Sequence, residues 1–444
     1  MSDPQPGSDP QAQGTASRRT ALTALRRIHD QQAWASPVVD AVLGESGLDA
    51  RDRSFAANLT FSTLRVEGTL DWILSHLVSR GLDAVEDDLL DILRLGTWEL
   101  RFGAAPSRAV VNAWVEVARQ VVGQRATGFA NGVLRGVARR ADDLPWPDEA
   151  TDEGLGLRLG YPAWMVALAR QRFGDPRARA VLEAGNTPAP LVLRAVADRD
   201  AVIAALTGDG IAAAPGALSP HAVVLAERHV PGDLAVVRDG LAVVQDQASQ
   251  VVGVTAAEGL PAGAHVIDLC AAPGGKSTHL AQQGLTVTAV DRHPGRLRRV
   301  AALADGLGMA VTTLAADGID PGLPEGQADA VLLDAPCSGL GVVRRRPELR
   351  WRKTPDDVDA LARTQVDLLA SAVRLVRPGG RVTYSVCTWT EAETDLVVDA
   401  VRSVAAVRSL RPPAVGTPTR CGTQLAPDLD DGDGMFVAAM LREG

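Results

Sequence analysis

The chain has few of the residues that would form disulfide cross-links or bind a metal. Its four cysteines in 444 residues are too few for a disulfide framework. No CxxC or Cys/His ligand spacing is present, so no metal site is predicted. No apolar run approaches membrane-spanning length, and the N-terminus lacks the apolar core of a secretory signal. These absences predict a cytoplasmic protein with reduced thiols, no membrane segment and no metal.

Lysine is almost absent, since only Lys276 and Lys353 occur among 45 Lys and Arg residues. The formal net charge of −9 argues weakly against a general nucleic-acid binder, although local clusters of arginine can behave differently. With only 4% aromatic residues, any helical core must be built from Leu, Val and Ala. The length predicts two or three domains.

Changes in composition and periodicity divide the chain into segments. Residues 1–16 are rich in Pro, Gln, Gly and Ser and predict a disordered tail. Residues 17–142 carry apolar residues at helical spacing, which predicts an all-α domain. After an acidic, proline-containing linker, residues 150–235 predict a small α+β linking domain. Residues 236–444 alternate strands and helices, and their apolar strands predict an α/β domain with a parallel sheet covered on both faces.

The first strand of this last segment runs into "DLCAAPGGKST", residues 268–278, and then into a helix. Doubly wound folds bind nucleotides at this crossover, where glycines admit the ligand and the helix offers free N–H groups. The loop lacks the first glycine of a Walker A motif, so a phosphate cradle is disfavoured. The next strand ends at Asp291, which suits ribose hydroxyls, and the third ends near Asp317, in position to read an adenine amino group.

Two later strands deliver cysteines to the same predicted edge. Cys337 follows the fourth strand in "ADAVLLDAPCSGLG", and Cys387 ends the fifth in "VTYSVCTWTEAE". Neighbouring strands lie about 4.8 Å apart, so both thiols are expected to open into one crevice at the carboxyl edge of the sheet. Asp334 precedes Cys337 by three residues and is placed to hydrogen-bond a ligand there. Spacing alone leaves open which thiol is the nucleophile.

These motifs resemble those of a known family. "DLCAAPGGKST", "AVDRHPGRLRRV", "LLDAPCSGLGVVRRRPELRW" and "VTYSVCTWTEAE" are similar to the motif series of the RsmB/Sun/NOP family of RNA cytosine-5 methyltransferases. "DRSFAANLTFSTLR", "LRLGTWELRF" and "GFANGVLRGVARR" resemble the NusB-like RNA-binding domain of bacterial members. The resemblance implies a Rossmann-like, class I methyltransferase domain behind a NusB-like domain, with S-adenosylmethionine as cofactor and small-subunit (16S) rRNA as substrate.

The resemblance also implies roles for individual residues. The cofactor would be held by Cys270, Ala271, Ala272, Pro273, Gly274, Gly275, Lys276, Asp291, Asp317 and Asp334. Cys387 would be the nucleophile that adds to C6 of a cytosine, because the RNA enzymes use the second cysteine whereas DNA cytosine methyltransferases use the Pro-Cys thiol. Cys337 would help to resolve the adduct, and Asp334 would contact the base near N3. The family often has Thr-Cys-Ser where this chain has Val386-Cys387-Thr388, so any hydroxyl role there is absent or moved to Thr388.

A cationic run follows Cys337 and is a candidate clamp for RNA phosphates. Its members are Arg344, Arg345, Arg346, Arg350, Arg352 and Lys353. An ordinary solvated surface is an equally good explanation of such a run. Further arginines of the helical domain, among them Arg18 and Arg26, are expected to face water and, by the resemblance, RNA.

Other functions remain open on the sequence alone. Within the methyltransferases, the alternatives are a tRNA cytosine-5 enzyme and a DNA enzyme. From a different class, the alternative is a non-catalytic rRNA-binding assembly or antitermination factor, which would have no chemical need for the cofactor loop, Asp334 and both cysteines. The oligomeric state is also open, with a monomer as one option.

Overall fold

The computed structural model describes residues 10–227, 229–411 and 413–444. They form two compact units. The first contains the chain up to Leu168 together with the segment Arg345–Arg352, and the second contains Ala169–Arg344 and Lys353–Gly444. The sequence predicted three successive domains and gave no sign that eight residues from the α/β part would belong to the helical unit.

The first unit is all helical. Its helices are α1 (Pro10–Asp30), α2 (Ala35–Glu45), α3 (Ala50–Arg65), α4 (Glu67–Ser75), α5 (Asp87–Phe102), α6 (Ser107–Val121), α7 (Gln124–Arg140) and α8 (Asp152–Leu159). Leu25, Ile28, Leu59 and Trp114 are completely buried, so the helical periodicity of the sequence does mark the core side of each helix. The predicted all-α domain is confirmed.

The predicted disordered tail is partly wrong. Residues 1–9 lie outside the described residues, but α1 already begins at Pro10, so residues 10–16 are helical. Thr15 and Ser17 are buried, and Arg18 donates a hydrogen bond of 2.8 Å to the backbone oxygen of Gly14. Tertiary burial therefore extends the helix into a polar stretch whose composition alone favours disorder.

A small α+β domain opens the second unit. Its elements are α9 (Ala163–Phe173), which starts in the first unit, α10 (Asp175–Ala184), β1 (Val192–Ala195), α11 (Arg199–Gly208), β2 (Ala213–Pro215), β3 (Ala222–Leu225), α12 (Ala235–Arg238) and β4 (Ala242–Val244). The strands form an antiparallel sheet in the order β2-β3-β1-β4. Because β4 pairs with β1, this sheet continues beyond the boundary predicted at residue 235.

The remaining elements build the α/β domain. They are α13 (Gln247–Ala257), β5 (His265–Leu269), α14 (Gly275–Gln282), β6 (Thr286–Asp291), α15 (Pro294–Gly306), β7 (Val311–Ala315), β8 (Ala328–Asp334), α16 (Leu349–Arg352, in the first unit), α17 (Pro355–Leu375), β9 (Val376–Val386), α18 (Asp395–Arg402), β10 (Val407–Ser409), β11 (Thr417–Pro418), β12 (Thr423–Leu425), α19 (Pro427–Asp430) and β13 (Met435–Arg442).

The sheet of this domain is mixed. Its order is β11-β12-β13-β9-β8-β5-β6-β7, with β10 against β13. The five strands β7, β6, β5, β8 and β9 are parallel, as predicted, whereas β13 runs antiparallel to β9 and to its other neighbours. The prediction of a wholly parallel sheet is therefore wrong at the C-terminal end. The connection between β12 and β13, residues 426–434, is too short for a parallel crossover.

Candidate active site

The loop after β5 has the sharp shape that the sequence predicts. Cys270 (φ 61°) and Gly274 (φ 107°) both lie in the left-handed region of backbone space. A Cβ atom on Gly274 would approach the Cα atom of Val300 to 3.0 Å, so this position requires glycine on both counts. The turn ends at Gly275, the first residue of α14, which places the free N–H groups of a helix N-terminus at the loop.

Beside this loop lies a cavity of about 190 Å³. It is lined by Val244, Gln245, Ser249, Asp268, Cys270, Ala271, Ala272, Pro273, Gly275, Lys276 and Asp334. Most of the residues predicted to hold the cofactor thus surround one hollow at the carboxyl edge of the parallel strands. Gln245 and Ser249 contribute from the end of β4 and from α13, in a part of the chain where the sequence showed no ligand motif.

Asp268 is a site residue for which the sequence analysis predicted no role. Its side chain is completely buried, and its Oδ2 atom accepts a hydrogen bond of 2.6 Å from the Ser277 hydroxyl. The other oxygen, Oδ1, is buried without a hydrogen-bond partner among the described residues. Burial raises the pKa of Asp268 to about 7, against the opposing effect of the Ser277 hydrogen bond. A buried carboxylate oxygen without a donor marks a position where a ligand's donor group would be stabilised.

The two other predicted acids differ in their surroundings. Asp291 is buried, and its carboxylate accepts hydrogen bonds from the backbone N–H of His293 (2.9 Å) and of Ala272 in the loop (3.4 Å). Asp317 is exposed, and its Oδ1 atom accepts from the N–H of Ile319 at 2.9 Å. The structure therefore brings Asp291 against the cofactor loop, whereas Asp317 stays at the exposed end of β7.

Asp334 is held from two sides. The Nζ atom of Lys276 lies 2.6 Å from Asp334 Oδ2, and the Ser385 hydroxyl donates to Oδ1 at 2.8 Å. Burial lowers the pKa of Lys276, but the adjacent Asp334 carboxylate more than offsets this and leaves the pKa above its ordinary value. The pair is thus a lysine ammonium and a carboxylate. Lys276, which the sequence assigned only to the cofactor, also orients the predicted base-contacting acid.

The two predicted thiols meet at the same edge. β8 and β9 are parallel neighbours, with Asp334 opposite Ser385, and the Sγ atoms of Cys337 and Cys387 lie 3.2 Å apart. The hydrogen bond with Cys387, reinforced by burial, raises the pKa of Cys337 well above its ordinary value. The prediction that both cysteines open into one crevice agrees with this contact. Cys337 is the thiol that stays protonated.

The remaining cysteines lack this environment. Burial, with a contribution from Asp291 and Asp268, raises the pKa of Cys270 to about 12, so its thiol is a poor nucleophile at neutral pH. Cys421 is buried and its thiol donates to Asp399 Oδ1 at 3.1 Å. Neither belongs to the thiol pair.

Arg344 and Arg350, two of the five arginines in the predicted RNA clamp, have protein partners instead. Arg344 is buried, and its guanidinium bonds the carboxylates of Asp433 (2.9 Å) and Asp431 (3.2 Å). Arg350 is completely buried and donates to the backbone oxygens of Arg65 (2.8 Å) and Gly160 (3.1 Å). For these two residues the prediction is wrong, because their side chains are buried and bound to other groups of the protein.

Two further arginines of the run, Arg345 and Arg346, are more accessible. Arg345 is half-buried, and Arg346 is exposed, with its guanidinium 5.0 Å from the ring centre of Trp34. Arg18 of the helical domain was expected to face water but pairs with the buried Glu99, its Nε atom lying 2.8 Å from Oε2. RNA contacts therefore remain a prediction for Arg345 and Arg346.

The segment Arg345–Arg352 completes the ends of several helices in the first unit. Glu348 accepts from the N–H of Ala35 at the start of α2 (3.0 Å). Trp351 donates to the backbone oxygen of Leu64 near the end of α3 (2.7 Å), and Arg352 to that of Ile28 near the end of α1 (3.0 Å). Helix ends carry backbone groups without intrahelical partners. Two cations of the run that suggested a nucleic-acid surface, Arg350 and Arg352, thus bond helix ends of the first unit.

Replacing Arg350 with methionine is expected to destabilise the first unit by about 3 kcal/mol, because the buried carbonyl groups of Arg65 and Gly160 lose a charged donor. Hydrogen exchange of the intact chain, followed by mass spectrometry, should show faster exchange in α3 and α8. Arg346→Met is the matched control and should change stability by less than about 0.5 kcal/mol, because its side chain is exposed. Equal exchange rates in the two variants would contradict the capping role of Arg350.

No helix within residues 10–227, 229–411 and 413–444 is long and apolar enough to cross a membrane. The same part of the chain holds no group of three or more His, Cys, Asp or Glu side chains suited to a metal ion.

The sheet order, the glycine turn after its first parallel strand and the cavity at the strand ends together define a Rossmann-like methyltransferase fold. Comparison with known families agrees. The model of the family "16S rRNA methyltransferase RsmB/F" matches residues 260–441, that of the NusB family matches residues 15–139, and that of the RsmF/B-like ferredoxin-like domain matches residues 161–231.

Individual relatives cover nearly the whole chain. The protein Rv1407 of Mycobacterium tuberculosis is 40% identical over 453 residues, covering 96% of each chain. Ribosomal RNA small subunit methyltransferase B of Escherichia coli is 30% identical over 433 residues, covering 96% of this chain and 98% of that protein. The crystal structure of PH0851 superposes with a TM-score of 0.84 at 21% identity, over 99% of this chain and all of that one. The chain belongs to the RsmB/F methyltransferase family, which confirms the predicted family and fold class.

Proposed function

We propose that the chain transfers the methyl group of S-adenosylmethionine to C5 of a cytosine in small-subunit (16S) rRNA, through a covalent bond between Cys387 and C6 of the base. One observation carries the proposal: two thiols 3.2 Å apart share a sheet edge with a carboxylate that lysine and serine hold in place. Methylation of cytosine at C5 requires a sulfur nucleophile beside an acid that contacts the base. The family and the Escherichia coli relative favour rRNA as the acceptor.

The cavity fits a cationic nucleoside cofactor. Asp268 offers a buried oxygen without a partner, Asp291 lies against the loop, and the left-handed Gly274 lets the backbone come close to a ligand. These residues would hold the amino-acid and ribose parts. When bound, S-adenosylmethionine supplies an electrophilic methyl group.

The chain's own residues would carry the remaining chemistry. Cys387 adds as a thiolate to C6, which makes C5 nucleophilic toward the methyl group. Asp334 holds the N3/N4 edge of the base, and the Lys276 ammonium beside it offsets the negative charge that addition places on the ring. After methyl transfer a base removes the C5 proton, and the Cys387 sulfur leaves by elimination. Cys337, a protonated thiol in contact with Cys387, is placed to assist that last stage.

The direct test is transfer of tritiated methyl groups to defined acceptors. Unmodified 16S rRNA, total tRNA and duplex DNA should be offered in parallel to the full-length protein. The proposal expects label in 16S rRNA, located at a single cytosine by bisulfite sequencing. Label confined to tRNA or DNA would move the chain to one of the alternative substrates, and binding to rRNA without any transfer would favour a non-catalytic assembly factor.

Cofactor affinity is expected to rise as the pH increases through about 7. Asp268 has a pKa of about 7 in the free protein, so its carboxyl group is largely protonated below that pH and ionised above it. A cationic ligand binds the ionised form more tightly. Lys276, Asp334 and Asp291 are the charged groups that act on Asp268, and each remains in place in an Asp268→Asn variant.

Isothermal titration of S-adenosylmethionine against wild-type protein and Asp268→Asn checks this prediction. The variant should bind about tenfold or more weakly above pH 7, because a charge-assisted hydrogen bond is lost, and its affinity should vary less with pH. Asp305→Asn is the control, since that exposed carboxylate of α15 does not line the cavity. An unchanged pH profile in Asp268→Asn would exclude Asp268 as the titrating group.

A further inference from the structure

A buried carboxylate lies behind the thiol pair. Glu393 ends a short 3-10 turn, Glu391–Glu393, that follows Cys387 by a few residues, and its side chain is completely inaccessible. Its Oε1 atom accepts from the backbone N–H of Ser338 (2.7 Å) and from the amide of Gln365 (3.1 Å). Its Oε2 atom accepts from the hydroxyls of Ser338 (2.5 Å) and Thr390 (2.9 Å). Both oxygens are therefore fully used, and all four donors are neutral.

These donors bracket Cys337 along the chain. Ser338 follows Cys337 directly, and both its N–H and its hydroxyl are tied to Glu393. Pro336 precedes Cys337, and its backbone oxygen accepts a hydrogen bond of 2.9 Å from the same Gln365 amide. The loop is thus fixed on both sides of the cysteine by one carboxylate and one amide.

The same network reaches the second cysteine. Thr388 follows Cys387, and its hydroxyl lies 2.9 Å from that of Ser338. Because the Ser338 hydroxyl spends its hydrogen on Glu393, the Thr388 hydroxyl must be the donor in this contact. A chain of donors therefore runs from Thr388 through Ser338 to Glu393. The residues that directly follow the two cysteines, Ser338 and Thr388, are thus linked by hydrogen bonds to the same buried carboxylate.

Tyr384 supports the network from within β9. Its hydroxyl lies 2.7 Å from the backbone oxygen of Glu393 and 3.1 Å from the side-chain oxygen of Gln365. Ser338, Gln365, Tyr384, Thr388 and Glu393 are all completely buried. With no water to replace a lost partner, this arrangement has few alternative geometries.

We propose that Glu393 is a positioning residue that sets the distance between the Cys337 and Cys387 sulfur atoms. Its contribution to catalysis rests on the function proposed above, in which Cys337 helps to release the methylated base from Cys387. The geometric part concerns the two thiols alone and needs no RNA. Glu393 is also one of the groups that raise the pKa of Cys337, after the hydrogen bond with Cys387 and burial, which keeps that thiol protonated.

Disulfide formation in the resting protein measures the distance directly. The full-length protein is treated with diamide, which takes up the two electrons and the two thiol protons as the Cys337 and Cys387 sulfurs bond. The linked peptide is then quantified by mass spectrometry against time. In wild-type protein the thiols are in contact, so rapid linkage is expected. In Glu393→Gln an NH2 group replaces one carboxylate oxygen and meets the N–H or hydroxyl donors of Ser338 or Thr390. The loop that carries Cys337 then shifts, so disulfide formation should slow by about tenfold or more.

Two further variants separate positioning from folding. Ser338→Ala removes the hydroxyl between Thr388 and Glu393 but keeps the charge, and it should slow linkage by a smaller factor. Asp395→Asn is the matched control, because Asp395 is a buried carboxylate two residues away that bonds Arg172 (2.6 Å) and the N–H of Cys421 (2.8 Å) instead. It should lower the melting temperature without slowing linkage of Cys337 to Cys387. Equal linkage rates in wild type and Glu393→Gln, or no linkage in wild type, would overturn the proposal.

The catalytic part has its own measurement. With unmodified 16S rRNA, Glu393→Gln should lower kcat and KM together and should accumulate RNA-linked protein, as expected when release from Cys387 is impaired. An active wild type with normal kcat in Glu393→Gln would overturn this part. If wild-type protein methylates no RNA while Glu393→Gln still slows the linkage, the proposed function fails and the positioning of the thiols by Glu393 stands.

Discussion

Replacing Cys387 with alanine is expected to abolish methyl transfer to 16S rRNA, with a loss in kcat of about 10⁴-fold or more, as for removal of other covalent nucleophiles. Without the sulfur, C6 of the base receives no nucleophile, and C5 stays too unreactive to attack a sulfonium methyl group. Cofactor binding should persist, because Cys387 does not line the cavity beside the glycine loop. Tritium transfer and isothermal titration on the same preparation separate the two effects.

The surroundings of the two thiols favour Cys387 over Cys337 as the nucleophile. The Lys276 ammonium bonds Asp334, which lies opposite Ser385, two residues before Cys387. Cys337 has a strongly raised pKa and neighbours Glu393 and Asp334, so its thiol remains neutral. The family resemblance gave the same assignment, which spacing in the sequence left open.

Cys421→Ala is the control for the loss of a thiol. That cysteine is buried and bonds Asp399, away from the paired sulfurs, so methyl transfer should stay near the wild-type rate. Substantial activity in Cys387→Ala, combined with inactivity of Cys337→Ala, would exchange the roles of the two residues.

Replacing Cys337 with alanine is expected to trap the protein on its RNA. Addition of Cys387 and methyl transfer should still occur, whereas elimination of the Cys387 sulfur should slow by about 10²–10⁴-fold, because the protonated Cys337 thiol is no longer there to donate a proton to the leaving sulfur. The covalent product should therefore accumulate in roughly one equivalent per active site. Multiple turnover should be lost while a single round of methyl transfer remains.

Denaturing gels with labelled rRNA reveal this product as a band of reduced mobility. The band should require S-adenosylmethionine and should disappear in the double variant Cys337→Ala, Cys387→Ala, because the second change removes the linking sulfur. A band that forms in Cys387→Ala alone would show that Cys337 is the residue that bonds the RNA.

Much of the α/β domain could be predicted because its parallel strands are buried on both faces and read as short apolar runs. Asp334, Cys337 and Cys387 follow such runs, so their convergence at one edge was accessible from strand order alone. The direction of β13 was not, because an apolar strand has the same sequence pattern in either orientation. The short connection from β12 implies an antiparallel β13 only once it is known that these two strands are paired.

The arginine run shows why local charge was misleading. Arg344 and Arg350 look like surface cations in the sequence, yet they pair with Asp433 and with helix-end carbonyls. These partners are far away along the chain, and no periodicity within the run indicates them. Asp268 and Glu393 were missed for the related reason that a single acid in a motif does not reveal whether its oxygens will find donors.

The sequence by itself determined the helical domain, the glycine turn after β5 and the two strands that end in cysteines, because these depend on apolar periodicity and on local backbone requirements. The tertiary structure decided which polar groups are satisfied within the protein and which are left for a ligand. Arg350 is buried and bound to carbonyl groups, whereas one buried oxygen of Asp268 lies at the cavity and has no donor among the described residues. That difference arises from hydrogen bonds between groups that are distant in sequence. Burial strengthens these bonds, and no local sequence pattern encodes them.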